Sequence, residues 1–246
     1  MEREATGRFG NGLLASLPIA LAYFPVAVSF GVTAAKTGFS FAEAAFMSIV
    51  IYAGASQFLA VALLAGNASP LLAVVSLLAM NARHLLYAPA LLTLVRQTGA
   101  SVVSTRWSWF WAHGLTDEVF ASAAARVAGR QLRWGEAWQA GIGLGAYAAW
   151  VSGTIVGALL GGGAFERWPA VDAALAFLMP ALFLSLLLAM LERRQWPVVV
   201  VAMLAFALGS ALFSTSTGIL LGMLGGGLAG AFIPGNADAT TGEERP

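Results

Sequence analysis

The sequence predicts an all-α polytopic membrane protein. Of its 246 residues, 59% are hydrophobic and only 10% are charged, whereas soluble domains carry about 25% charged residues. The apolar residues fall into runs of about 20, the length at which a helix crosses a bilayer. We therefore predict about eight transmembrane helices, with seven as the alternative. They include kinked or broken helices and form one domain over residues 1–234, before a disordered polar tail at 235–246.

The composition excludes several kinds of site. The chain has no cysteine, so disulfides, thiolate metal ligands and cysteine nucleophiles are excluded. Its two histidines, His84 and His113, lack the spacing of metal ligands, so we expect no metal site. A net charge of +1 argues against a nucleic-acid partner. The sequence shows no cofactor motif, and the first apolar run is too long for a cleavable signal.

The individual spans follow from the apolar runs. Seven runs predict spans at 10–35, 41–66, 70–95, 139–162, 170–191, 196–214 and 216–233. An eighth candidate, 107–125, is interrupted by His113, Asp117 and Glu118. With eight crossings both termini face the cytoplasm, and with seven the N-terminus is external; the Lys and Arg residues of the loops allow either topology. We adopt eight crossings.

The first span and the start of the second carry helix-break and helix-start signals. Pro18, Pro25 and Gly31 suit a kinked or broken helix, although proline is also common in ordinary membrane helices. In the second span Ser40 predicts an N-cap, and Glu43, three residues later, completes a capping box.

The middle of the second span is unusually polar. Gly54, Ala55 and Ser56 are small enough for another backbone to approach closely. Gln57 places an amide at mid-membrane depth, where an unpaired polar group is costly. The stretch therefore predicts a substrate contact. The alternative is a helix-packing patch in which Gln57 is bonded across an interface.

The third span contains Arg83 near its centre. A guanidinium at the bilayer midplane costs at least about 2.5–3.5 kcal/mol and requires a partner, a cavity or a ligand. On a continuous helix Asn81 and His84 share one face, and Arg83 and Tyr87 share another. The alternative is a helix end at Pro89, from which Arg83 extends to the headgroups.

Segment 107–125 supplies the candidate counter-charges. Thr116 or Asp117 suits the N-cap of a half-helix that dips into the membrane. Asp117 and Glu118 point about 100° apart on a helix, so they cannot both face one partner. We predict that Arg83 pairs with one of them. The alternative is a hydrated interfacial loop.

The C-terminal half holds two weaker signals. Glu43-Ala-Ala-Phe with Phe58 is echoed by Asp172-Ala-Ala-Leu with Phe183, which suggests a possible internal repeat. A cluster of glycines predicts a close helix–helix contact, within the chain or with another subunit. Its members are Gly222, Gly225, Gly226, Gly227 and Gly230.

Motifs along residues 14–230 together resemble one family. They are Ser16-Leu-Pro-Ile, Phe24-Pro-Val-Ala-Val-Ser-Phe-Gly31, Ile51-Tyr-Ala-Gly-Ala-Ser-Gln-Phe58, Arg83-His84-x-Leu-Tyr87, Gly114-Leu-Thr-Asp-Glu-Val-Phe-Ala121 and Pro169-Ala-Val-Asp-Ala-Ala-Leu175 with Pro180-Ala-Leu-Phe183. The chain thus resembles the AzlC/YgaZ family of branched-chain amino-acid exporters. The resemblance implies a multi-pass permease of the bacterial inner membrane that exports L-valine and related amino acids, with methionine as a further candidate. It also implies a small AzlD/YgaH-type membrane subunit as partner, and no enzymatic activity.

The polar residues suit such a substrate independently. A zwitterionic amino acid needs a cation for its carboxylate, acceptors for its ammonium and an apolar pocket for its side chain. Arg83 or the positive end of a broken helix supplies the first, and carboxylates, Ser56, Gln57 and exposed carbonyls supply the second. The candidate substrate-binding residues are Gly54, Ser56, Gln57, Phe58, Asn81, Arg83, His84, Tyr87, Asp117, Glu118 and Trp150.

Two alternatives of other classes stay open at this point. Gly54-Ala55-Ser56 resembles the start of a rhomboid-type serine protease motif, with His84 or His113 as base, although Gln57 replaces the glycine that the motif requires. A passive channel or an assembly subunit is the other alternative.

Overall fold

A computed structural model describes residues 7–97, 108–129, 134–161, 163 and 167–232, and all regular structure within these ranges is helical. Twelve α-helices lie there: α1 Phe9–Ala15, α2 Leu17–Lys36, α3 Phe41–Val50, α4 Gly54–Ala65, α5 Pro70–Asn81, α6 His84–Gln97, α7 Ser108–His113, α8 Asp117–Ala128, α9 Glu136–Leu160, α10 Pro169–Met190, α11 Trp196–Leu212 and α12 Thr215–Ala231. The all-α polytopic prediction is confirmed. The predicted tail at 235–246 lies outside the described residues.

Within the described ranges, four segments are long and apolar enough to cross a membrane: Leu17–Lys36, Pro70–Gln97, Glu136–Leu160 and Arg193–Leu212. Helices α3, α4 and α12 are apolar but shorter. Three predicted spans are each divided into two helices, with interruptions at 51–53, 82–83 and 114–116. The first span is also divided, at Ser16, and Pro25 lies inside α2.

Two predicted helix starts are confirmed. The Ser40 hydroxyl accepts the N–H of Glu43 at 3.3 Å, and the Glu43 carboxylate accepts the N–H of Ser40 at 2.8 Å, which is the reciprocal capping box. Thr116 caps α8 by accepting the N–H of Val119 at 3.4 Å. Both caps satisfy N–H groups that a helix leaves unpaired in its first turn.

The third span is not a continuous helix. Residues 82–83 form a turn between α5 and α6, so Arg83 lies in the interruption and not on a helix face. This corrects the assignment of Asn81, His84, Arg83 and Tyr87 to two helix faces. The proposed helix end at Pro89 is also wrong, because α6 continues through Pro89 to Gln97.

The described residues belong to two compact units, Met1–Ala65 with Asn81–Ala181 and Gly66–Met80 with Leu182–Pro246. In the first unit, α1 and α2 pack along α9 at glycines. A Cβ atom at Gly12 would lie 2.9 Å from the Ile142 nitrogen, and one at Gly141 would lie 3.0 Å from the Leu13 nitrogen. Further along, a Cβ at Gly153 would lie 2.7 Å from the Phe24 carbonyl oxygen. Backbone therefore meets backbone along this seam.

The seam joins parallel helices in a reciprocal way. Residue numbers rise together along it, and the contacting pairs Gly12–Gly141, Phe24–Gly153 and Val28–Gly157 each differ by 129. The same difference relates Glu43 to Asp172, the two starting points of the sequence echo. Reciprocal contacts of this kind are typical of a two-fold arrangement. The possible internal repeat thus has a structural counterpart in α1–α2 and α9.

Helices α3 and α4 form a hairpin on this seam. Helix α3 runs against the direction of α9, because Ser48 bonds to Thr154 at 2.7 Å and the next residue, Ile49, accepts the Tyr147 hydroxyl at 3.0 Å. After the turn the chain reverses. Gln57 bonds to Trp150.

One residue later, Phe58 packs on Phe30, 5.4 Å between ring centroids. Phe30 precedes Gly31, which contacts α9 at Ala158, near the end of that helix. The α3–α4 hairpin therefore starts and finishes near the end of α9, with its tip at 51–53 partway along the helix.

Helices α7 and α8 form a second hairpin from the opposite side. Helix α7 runs in the same direction as α9. Its Trp111 ring lies 5.8 Å from the Trp134 ring between centroids, and a Cβ at Gly114, just after α7, would lie 3.0 Å from Gly143. Helix α8 then returns, and its Arg126 lies 4.3 Å from the Trp138 ring.

The α7–α8 hairpin thus starts and finishes near the start of α9. If α9 spans the bilayer, neither hairpin crosses it. The antiparallel packing of each pair of helices therefore favours hairpins that fold back over the crossings predicted for 41–66 and 107–125.

The second unit contains an antiparallel pair, α11 and α12. A Cβ at Gly209 would lie 2.8 Å from Gly218, and one at Gly226 would lie 3.0 Å from the Ala202 Cβ. The predicted glycine contact is confirmed for Gly222, Gly225 and Gly226 and lies within the chain. Gly227 points into open space, with nothing within 4 Å of a Cβ placed there.

Candidate functional site

A cavity of about 190 Å³ lies where three helix interruptions meet in the first unit. The tip of the α3–α4 hairpin, the interruption between α5 and α6, and the tip of the α7–α8 hairpin each contribute to its wall. The lining residues are Ile51, Tyr52, Ala53, Asn81, His84, Ala112, His113 and Leu115. Polar side chains at the tips of two opposed hairpins thus surround one small space.

Tyr52 stands out among the lining residues. It is only 4% exposed, and its hydroxyl has no hydrogen-bond partner among the described residues. Its ring packs edge-to-face on Tyr147, 4.8 Å between centroids, and lies 6.0 Å from the His113 ring. Tyr52 was not predicted as a site residue, although it belongs to the quoted motif that ends at Phe58, and His113 was predicted only as a possible base in the serine-protease alternative.

The predicted ion pair is confirmed with Asp117. Arg83 Nη1 lies 2.9 Å from Asp117 Oδ2, and the Tyr87 hydroxyl donates to Asp117 Oδ1. Tyr87 is stacked on Phe120, with 5.0 Å between ring centroids and 16° between their planes. The pair joins the α5–α6 interruption to the first residue of α8, and Arg83 precedes the cavity residue His84. Its side chains remain 40% and 35% exposed.

Glu118 faces a different partner, as adjacent helical positions require. The Tyr23 hydroxyl donates to the Glu118 carboxylate and is 2.7 Å from Thr116 Oγ1. Tyr23 is buried and also packs edge-to-face on Trp150, with 5.5 Å between ring centroids. Helix α2 therefore holds the tip of the α7–α8 hairpin. Tyr23 was not predicted, because only the packing of α2 on α8 places it there.

Gln57 is completely buried and braces the other hairpin. Its Nε2 donates to Ser48 at 2.8 Å, and its Oε1 accepts the Trp150 indole N–H at 2.8 Å. A Cβ at Gly54 would lie 2.5 Å from the same indole, so the close approach predicted there involves a side chain, not another backbone. This geometry matches the packing alternative for Gln57. Trp150, 4% exposed, belongs to the brace and does not line the cavity.

Ser56 connects this hairpin to the cavity wall. Its hydroxyl donates to Asn81 Oδ1 at 2.5 Å, so the group that a serine protease would activate is engaged by an amide. Of the eleven predicted substrate-binding residues, Asn81 and His84 line the cavity. Phe58 lies away from it, against Phe30.

The chain shares one family with known membrane proteins. The family described as AzlC protein matches residues 18–163. The inner membrane protein YgaZ of Escherichia coli (strain K12) is 43% identical over 218 residues, which are 89% of this chain and 87% of that protein. An uncharacterized membrane protein of Archaeoglobus fulgidus is 39% identical over 223 residues, 89% of this chain and 93% of the relative.

A more distant relative has a name that states a transport role. The branched-chain amino acid transport protein AzlC of Bacillus subtilis (strain 168) is 27% identical over 183 residues, 74% of this chain and 65% of that protein. No solved structure matches this chain.

Proposed function

Because the chain belongs to the AzlC family, we propose that it is the large subunit of an exporter of branched-chain amino acids. We place the exporter in the bacterial inner membrane. Its preferred substrate is L-valine or a related amino acid, including methionine. Its partner is a small AzlD/YgaH-type membrane subunit. The name of the Bacillus subtilis relative supports the substrate class. As a transporter, the chain is proposed to have no enzymatic activity.

The cavity between the hairpin tips is the observation that carries this proposal. Many transporters bind substrate where discontinuous helices meet inside the membrane. At about 190 Å³ the space is smaller than the roughly 300–1,000 Å³ of pockets for drug-sized ligands. It therefore suits a ligand with few heavy atoms, such as a single amino acid.

Helix ends of opposite polarity meet at this cavity. Helix α3 ends beside Ile51, and α6 begins at His84. The carbonyl groups at the end of a helix favour a cation, and the N–H groups at its start favour an anion. A zwitterionic amino acid carries both charges on adjacent groups, so the two ends together match its head group.

The Arg83–Asp117 pair provides a way to couple binding to movement. A substrate carboxylate that displaces Asp117 from Arg83 exchanges one charge-assisted bond for another. It also releases α8 from the α5–α6 interruption, because the pair joins these two elements. The Asp117 carboxylate then loses its cation, while Tyr23 still holds Thr116 and Glu118, so the exchange loosens one of the two contacts that hold the hairpin tip.

Efflux from living cells tests the function. Cells that lack their own branched-chain exporters are loaded with dipeptides, and efflux of valine, isoleucine, leucine and methionine is measured for the chain alone and with the small subunit. We expect export of at least valine, dependent on that subunit. Absence of export of all four amino acids under both conditions contradicts the proposal. Non-saturating flux that simply follows the gradient supports a passive channel instead.

A matched pair of variants links the transport to the cavity. Ala112→Phe introduces a ring into the space that Ala112 lines, and we expect normal membrane abundance with efflux reduced at least tenfold. Ala125→Phe adds the same ring on an exposed position of α8 and is expected to retain efflux. Equal efflux from both variants would place the substrate elsewhere.

A further inference from the structure

The Tyr52 hydroxyl is a buried polar group that the fold itself does not satisfy. The residue is 4% exposed and lines the cavity, and its oxygen has no partner among the described residues. Buried polar groups are nearly always hydrogen-bonded, and an unpaired one costs about 1–3 kcal/mol. A phenylalanine would fill the same volume without this cost. The hydroxyl therefore indicates a ligand.

The backbone and the neighbouring rings hold Tyr52 in place. Its φ is +42°, in the left-handed region that bulky side chains rarely adopt. The ring packs on Tyr147, whose own hydroxyl donates to the Ile49 carbonyl at 3.0 Å. Residues held in this region cluster at ligand sites, where the surrounding structure fixes them.

The surroundings of the hydroxyl favour a cation. Tyr52 follows the last turn of α3, where the carbonyl groups concentrate negative partial charge. The rings of Tyr147 and His113 flank it, and aromatic faces attract cations. The guanidinium of Arg83 is paired with Asp117. Arg83 precedes His84, the first residue of α6, so this cation lies on the α6 side of the cavity.

From this geometry we propose that the Tyr52 hydroxyl accepts a hydrogen bond from the ammonium group of the transported amino acid. The inference rests on the proposed export function and assigns the two ends of the substrate. The ammonium lies at the tip of the α3–α4 hairpin, beside Tyr52 and the end of α3. The carboxylate lies towards Arg83 and the start of α6. The bound amino acid then links the tip of the α3–α4 hairpin to the α5–α6 interruption through its two charged groups.

Tyr52→Phe tests the assignment by removing one oxygen. Binding to the purified chain with its small subunit is measured for three ligands: L-valine, L-valinol, which keeps the amine but not the carboxylate, and 3-methylbutanoate, which keeps the carboxylate but not the amine. A hydrogen bond to a charged group corresponds to about a 10- to 100-fold change in affinity. We expect that loss for L-valine and L-valinol, and unchanged binding of 3-methylbutanoate.

Ser152→Ala is the control, because it also removes one hydroxyl, which bonds to the Ala149 carbonyl of the same helix and does not line the cavity, and we expect unchanged ligand affinities. A wild-type unfolding midpoint for Tyr52→Phe shows that its ring still packs. Wild-type affinity of Tyr52→Phe for L-valine overturns the inference, and so does a loss confined to 3-methylbutanoate. If the wild-type complex binds none of the branched-chain amino acids, the proposed function itself fails, which is a different result.

Discussion

Both hairpins consist of two helices joined by a three-residue interruption, but they are held in place by different chemistry. The α3–α4 hairpin turns at Tyr52, in an apolar and aromatic setting, and an uncharged network through Gln57 holds it to α9. The α7–α8 hairpin turns at Thr116 and carries Asp117 and Glu118 at its tip, each paired across to another element. Hydrogen bonds of the uncharged Gln57 side chain hold the α3–α4 hairpin, and the carboxylates of Asp117 and Glu118 hold the tip of the α7–α8 hairpin.

This difference shows which hairpin is suited to respond to substrate. Neutral hydrogen bonds inside a core have no competitor in a zwitterion, so the bonds of Gln57 are expected to persist. The Arg83–Asp117 pair does have a competitor, because a substrate carboxylate offers the same charge and geometry as Asp117. We infer that the α7–α8 hairpin is the more mobile and the α3–α4 hairpin the more rigid of the two.

The largest expected effect comes from breaking the charged brace. Arg83→Ala leaves Asp117 without its cation, and the loss of one partner from a fully buried pair costs about 3–5 kcal/mol. This pair is about one-third exposed, so we expect a smaller loss of stability, seen as reduced membrane abundance, together with lost valine efflux. Adding Asp117→Asn is expected to restore abundance but not efflux.

Glu118→Gln is the control for that double-mutant cycle, because Glu118 faces Tyr23 and not Arg83. Combined with Arg83→Ala, it should not restore abundance. Contacting residues typically show coupling of 0.5–3 kcal/mol. Additive effects in the Asp117 combination would show that the pair contributes nothing to the brace.

A medium effect is expected at the seam that supports both hairpins. Gly153→Leu places a side chain where a Cβ alone would lie 2.7 Å from the Phe24 carbonyl oxygen. Overpacking of a core costs about 1–3 kcal/mol, so the unfolding midpoint in detergent should fall measurably. Gly227→Leu, with nothing within 4 Å of its Cβ, should leave the midpoint unchanged. Equal midpoints for the two variants would argue against a rigid seam.

The smallest perturbation tests the hairpin geometry itself. The chain has no cysteine, so single cysteines report their side of the membrane with impermeant thiol reagents. Thr37→Cys and Ala65→Cys flank α3–α4 and should label from one side, whereas Trp109→Cys and Gly129→Cys flank α7–α8 and should both label from the other. Export should be unaffected. Labelling of either pair from opposite sides would turn that hairpin back into a crossing.

Local chemistry was readable from the sequence. The capping box at Ser40 and Glu43 and the cap at Thr116 depend on residues three positions apart, so no tertiary information is needed to predict them. The need of Arg83 for a counter-charge follows from the cost of a guanidinium at membrane depth alone. The all-α membrane class follows in the same way from composition, because a helix satisfies its backbone within one segment.

Direction and pairing were decided by the tertiary structure. Hydropathy measures the length of an apolar run. A run with a break near its middle has the same hydropathy whether it crosses the membrane or folds back, so hydropathy does not distinguish the two arrangements for 41–66 and 107–125. The choice of Asp117 over Glu118 depends on the rotation of α8 against Arg83. The place of Tyr52 in the cavity depends on its left-handed backbone and on the opposed hairpin. These features arise from contacts between residues far apart in the chain, and a single sequence carries no measure of such contacts.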